Sequence, residues 1–190
     1  METEATRPEN RRVTALVGRW LESLVVGMNL CPFAGRELAN NRVRFVVTEA
    51  DSEQQLLMAL EAEFEVLSAD TSIETTLLIH PKVLADFHDY NQFLDLADGL
   101  LLAMELEGIY QIASFHPHYQ FAGTHVDDAE NFTNRSPYPM LHLIREASLD
   151  RVIAEYPDVD KIPARNVALM NSLGRAKLQA MMQACIDDKD

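Results

Sequence analysis

Three short runs rich in β-branched and aromatic residues, 42–48 (RVRFVVT), 75–79 (TTLLI) and 109–115 (IYQIASF), alternate with longer stretches whose apolar residues recur every three or four positions. Strands that alternate with helices of this length form a parallel sheet with right-handed crossovers, because each helix returns the chain to the edge of the sheet from which the next strand starts. The expected architecture is therefore α/β, a small three-stranded parallel sheet packed by about five helices. One antiparallel strand in a split arrangement is the alternative that the pattern leaves open.

The helical stripes can be read in turn. Val13, Val17, Trp20, Leu21, Leu24 and Met28 share one face of a first helix, which stops where Pro32 drives Cys31 out of helical geometry. Ser52 and Gln55 stand at capping-box spacing ahead of Leu56, Leu60, Phe64 and Leu67. A third stripe runs from Val83 to Met104, with Gly108 as its stop. Ser136 and Pro137 have the character of an N-cap and a first helical position, so a helix with Met140, Leu143, Ile144 and Ala147 on its core face is expected there. Pro163 opens a last helix carrying Val167, Met170, Leu178 and Met181, with Gly174 a weak point in its middle. A length of 190 residues fits one domain, residues 1–190, with 1–10 a loose tail and 184–190 an acidic one.

Thirty acidic against sixteen basic side chains leave a net charge of -14. That field repels polyanions and anionic membrane surfaces, so neither nucleic acid nor membrane is an expected partner and a small molecule is. Cys31 and Cys185 lie far apart, and METEATRPENRR holds no apolar run of the kind a signal peptide needs, which points to a reducing cytosol. The longest apolar stretch is broken by Glu22 and Asn29, so no membrane span is expected.

Residues 115–136 show neither helical nor strand period, and a loop of this length is usually functional or disordered. Its aromatics argue against disorder. Ligands of open α/β sheets sit beyond the carboxyl ends of the strands, where Glu49, Asp51, His80, His116 and His118 would share one rim. His116 and His118 flank a proline in extended chain and so point the same way. With Asp127, Asp128 and Glu130 they form a candidate site for a divalent metal, zinc, iron or manganese. Asn131, Asn134, Arg135, Ser136 and Tyr138 lead into the expected helix start, whose N–H groups and dipole suit an anion.

The catalytic candidates are His116, His118 and His80 as bases and Cys31 as a nucleophile. The thiol becomes interesting only if folding brings a histidine beside it. Each has a bland counterpart: turn histidines that merely hydrogen-bond, an arginine in a surface ion pair, a structural thiol. His88 and His142 read as helical, His142 pairing with Glu146 one turn on. No GxGxxG, Walker loop, GxSxG elbow or HExxH occurs.

At NLCPFAGRE, TTLLIHPKVLADFHDYNQFLDLAD, SFHPHYQFAG and DDAENFTNRSPYPMLHLIREASL the chain closely resembles an uncharacterised bacterial family, DUF1415, over residues 13–172. The resemblance implies a stand-alone bacterial protein of this length and brings no activity, cofactor or catalytic residue with it.

Three readings of function follow. The first is a small cytosolic enzyme, a metal-assisted hydrolase of a small anionic or polar substrate, in which a metal lowers the pKa of bound water and Arg135 orients the substrate. The second is a Cys31-dependent thiol enzyme. The third is a non-catalytic ligand- or protein-binding module using Phe115, Tyr119, Phe121, Phe132 and Tyr138 as contact area.

Overall fold

A computed structural model describes residues 8–155 and 158–187. Strands form at the three expected runs, β1 Val43–Val47, β2 Thr75–Ile79 and β3 Tyr110–Phe115. A fourth, β4 Met140–Arg145, stands where the sequence predicts a helix. The sheet order is β1-β2-β4-β3. β1 and β2 pair in parallel, while β4 runs antiparallel to both β2 and β3. The three expected strands thus share one direction, but the sheet is four-stranded and mixed, with β4 threaded between β2 and β3.

The misreading of β4 has a physical cause. Leu141 and Leu143 face one side of the sheet, while Met140, His142 and Ile144 face the other. A strand buried on both faces presents an almost continuous apolar run, and such a run also satisfies the helical period. Ser136 is consequently no N-cap: its hydroxyl donates to Tyr138 O at 2.7 Å in the turn that feeds β4. The helix begins only afterwards, as α5 Glu146–Glu155.

The remaining helices are α1 Pro8–Trp20, which continues as a π-helical turn Leu21–Val26, α2 Ala34–Ala39, α3 Glu53–Ala69, α4 Phe87–Ala103, α6 Ile162–Leu173 and α7 Arg175–Asp187. Among the described residues there are seven α-helices where about five were expected. Gly174 accounts for part of the difference. At φ +77° it donates its N–H to Met170 O and ends α6, so the weak point is a full break. The expected tails also shrink: residues 8–10 open α1 with Asn10 buried, and residues 184–187 are the last turn of α7 with Cys185 buried. Residues 1–7 and 188–190 of those tails lie outside the described residues.

Helices cover both faces. Leu78, Leu141 and Leu143 pack against Leu60, Phe64 and Leu67 of α3 and Tyr90 and Phe93 of α4. On the opposite face Leu77, Ile79 and Met140 meet Val13, Val17 and Trp20 of α1 and Cys185 of α7. Burying each such large side chain contributes about 1.5–3 kcal/mol. A satellite cluster of Leu30, Phe132, Met170 and Leu178 ties α6 and α7 to the long loop.

One polar contact locks the sheet to α4. The buried Tyr90 hydroxyl donates to Met140 O at 2.9 Å and accepts from Phe115 N–H at 3.0 Å, entering the ladder at the last β3–β4 pair. Tyr90→Phe keeps the ring but leaves a carbonyl and an N–H without this partner, an expected loss of about 2–3 kcal/mol. Urea unfolding measures it; a loss below about 0.5 kcal/mol would mean that the two groups pair otherwise.

Candidate functional site

Because β1, β2 and β3 share a direction, Thr48, His80 and His116 do lie at one edge of the sheet. They are not on three neighbouring strands, since β4 separates β2 from β3. Between the two imidazoles stands Tyr90, its ring 5.8 Å from that of His80 and 5.0 Å from that of His116.

His80 is fully buried. Its Nδ1–H donates to Val83 O at 3.0 Å, Nε2 has no partner, and burial pushes its pKa down to about 4, so the ring is neutral at pH 7. His116 is also buried and its pKa is lowered by burial. Its Nε2 faces Leu84 O at 3.1 Å and must donate, which leaves the lone pair on Nδ1; that lone pair accepts the backbone N–H of His118 at 3.0 Å. A neutral imidazole has one lone pair, and here the backbone takes it.

The rest of the expected metal set is dispersed. His118 is exposed, Asp127 is ion-paired with Arg175, Asp128 Oδ2 accepts from His125 N–H at 2.7 Å and Glu130 Oε2 accepts from Asn171 Nδ2 at 3.4 Å. Among the described residues no three His, Cys, Asp or Glu side chains converge to hold a metal ion. His116, His118, Asp127, Asp128 and Glu130, expected together as a zinc, iron or manganese centre, are not brought together here. A long irregular loop has no ladder for its backbone groups, and its polar side chains supply the missing partners.

Arg135 and its neighbours follow the same rule. The Arg135 residue is only 8 % exposed; Nε donates to Tyr119 O at 3.2 Å, Nη2 to Val126 O at 2.7 Å, and the guanidinium lies 4.6 Å over the Phe132 ring. Asn131 accepts from Phe121 N–H at 2.9 Å and donates to His125 O at 2.8 Å, while Asn134 donates to Ser114 O at 3.1 Å. With no helix starting at Ser136, the expected anion site has lost its dipole, and its arginine fork is engaged by carbonyls. At the rim, Glu49 accepts from Asn10 at 3.0 Å and Lys82 at 2.7 Å.

The space the fold leaves is elsewhere. On the α1 face, towards the amino ends of β1 and β2, a cavity of about 290 Å³ opens between the π-helical turn, α2 and α5. Leu77, Ala113 and Ile144 form its floor, and Leu21, Val25 and Leu149 contribute to its walls. Trp20 and Phe115 meet edge to face at 5.5 Å along it. Of the expected catalytic residues only Cys31, half-buried, lines it.

The polar groups facing this cavity were not singled out from the sequence. His142, placed in a helix and paired with Glu146 by periodicity, is instead on the cavity side of β4, its Nε2 2.6 Å from Thr75 Oγ1. The same hydroxyl lies 2.6 Å from Leu143 O, which can only accept. Thr75 has one proton and spends it on that carbonyl, so His142 donates through Nε2–H and keeps its lone pair on Nδ1. Burial pushes the pKa of His142 down to about 4. Glu37 and Glu74 border the cavity, and Arg42 is ion-paired with both, at 3.3 Å to Glu37. Alternation along TTLLI and MLHLIR would have put Thr75, Leu77, His142 and Ile144 on one face, had MLHLIR been read as a strand.

All four segments that carry the family resemblance reach this cavity, through Cys31 and Glu37, Thr75 and Leu77, Phe115, and His142 and Ile144. The family model DUF1415, described as a protein of unknown function, matches residues 12–180. No curated protein and no solved structure matches the chain. Among the described residues no helix is long and apolar enough to cross a membrane.

Proposed function

The chain belongs to the DUF1415 family, whose description carries no activity, and from its site we propose that it binds a small, largely apolar molecule in the cavity on the α1 face. The observation that carries the reading is the cavity itself: about 290 Å³, lined mostly by aliphatic and aromatic side chains, with the Thr75–His142 pair set into its floor. An apolar pocket with a few convergent polar groups is the usual form of a small-molecule site. An apolar cavity of about 150 Å³ holds benzene, so this one has room for a ring with a side chain of several atoms.

Trp20, the single tryptophan, lies in the wall and reports occupancy. Titration with phenylpropanol should change its emission saturably. Ala113→Phe, which fills the floor, should abolish the change while leaving the unfolding midpoint close to that of the unsubstituted chain. An emission that never saturates ends the proposal.

The thiol-enzyme reading gains one specific support, since Cys31 and His142 line the same cavity. A neutral imidazole with a free lone pair is the group that takes a thiol proton, and a thiol–imidazole pair supports hydrolysis or acyl transfer without metal. Iodoacetamide should then label Cys31 in the native protein, more slowly when phenylpropanol is bound, whereas the buried Cys185 should react only on unfolding. Labelling of Cys31 only after unfolding removes this reading.

A further inference from the structure

Resting on the cavity reading above, the geometry points to a ligand class: an apolar body whose polar end donates hydrogen bonds, an amine before an alcohol, with carboxylates disfavoured. The basis is the allocation of donors and acceptors around the cavity. His142 offers Nδ1, a lone pair that meets no hydrogen-bond partner among the described residues and is not sealed from the cavity. Thr75 Oγ1 has its proton committed to Leu143 O. Trp20 Nε1–H, the strongest donor in the walls, is turned away and spent on Arg135 O at 3.1 Å. What remains facing inward accepts.

Charge points the same way. Two carboxylates, Glu37 and Glu74, line the cavity, and no lysine or arginine does. Arg42 stands behind them with its donors directed at Glu74, Glu37 and Ser72 O. Arg36 lies 3.6 Å from Glu37, but its side chain is 67 % exposed and screened by water. The Glu37 carboxylate makes these two ion pairs without an aligned hydrogen bond among the described residues; its Oε2, 3.3 Å from Arg42 Nη1, is itself sealed from the cavity, so Glu37 acts on a ligand through its charge. A carboxylate in the wall attracts a cationic donor and opposes a second anion. The weak donors left are the Cys31 thiol and the Ser148 hydroxyl, the latter already accepting from Arg151 at 2.9 Å. Neither can neutralise a carboxylate.

Three probes with one body separate the possibilities: phenylpropylamine, phenylpropanol and phenylpropanoate, each titrated against the whole chain by Trp20 emission and by isothermal calorimetry at low and high salt. The amine should bind about tenfold more tightly than the carboxylate, a gap equivalent to about 1.4 kcal/mol, with the alcohol between them. The gap should narrow as salt rises. Glu37→Gln should lower the amine-to-alcohol affinity ratio several-fold. Equal or tighter binding of the carboxylate overturns the inference and leaves the cavity reading standing; absence of binding by all three overturns both.

Discussion

Acidification from pH 7 to pH 4 is expected to remove several kcal/mol of stability, most of it from two histidines. Burial holds His80 and His142 neutral, with pKa values lowered from 6.5 to about 4. The unfolded chain takes a proton on each near 6.5 while the folded chain refuses it until about 4. Between those values the unfolded state binds more protons, so stability is fully present above 6.5 and falls as pH drops through the window. One pKa unit is worth about 1.4 kcal/mol, which makes each imidazole a contribution of about 3 kcal/mol. Asp70, held below the usual carboxylate range by the Ser72 hydroxyl and N–H, and Asp86, held there by the N–H groups of Asp89 and His88, titrate below this window. Urea unfolding across pH 4.5–7 reads the slope. His80→Asn, which can still donate to Val83 O, should flatten it by about half. An unchanged slope would mean that His80 takes up its proton alike in the folded and unfolded chains.

Arg135→Ala should cost about 3 kcal/mol, and Arg135→Lys about 2 kcal/mol. The guanidinium holds the carbonyls of Tyr119 and Val126 at two points and covers Phe132, so it fastens both ends of the turn that the long loop makes after β3. Lysine keeps the charge but cannot bridge two fixed carbonyls with a planar fork. An anion receptor would give a lysine variant that loses ligand and keeps stability; a fork engaged by two carbonyls places the expected loss in stability instead. Thermal unfolding of both variants, with and without phosphate, makes the comparison. A lysine variant that melts within about a degree of the unsubstituted chain, together with a phosphate-induced rise in the native Tm, would restore the anion site.

The sequence marks His80 and Arg135 for chemistry; in the fold both are held by backbone carbonyls. His116 shows why. Its position after β3 and its neighbour His118 are readable, but the carbonyl of Leu84, which fixes its tautomer, comes from a segment 32 residues away. Arg135 is similar: an arginine before a Ser-Pro pair reads as a helix-start receptor, until Tyr119 O and Val126 O are seen to occupy it. Thr75 and His142 are the converse. They look like one strand threonine and one helical histidine, and they become a pair only because β4 lies beside β2 with Leu77 opposite His142.

What the sequence determined by itself is whatever depends on local period. The α1 stripe, the strand–helix succession through β3 and the family follow from spacing and from motifs within single segments. Tertiary structure alone decided three things. It placed β4 inside the sheet, because a segment buried on both faces carries no period that separates strand from helix. It assigned the lone pairs of His116 and His142, because a hydrogen-bond partner distant in sequence leaves no trace in the residues around it. And it left the cavity, which exists where the π-helical turn, the short α2 and α5 do not close over Leu77, Ala113 and Ile144. How far helices cover a sheet is a property of their packing, and no single segment encodes it.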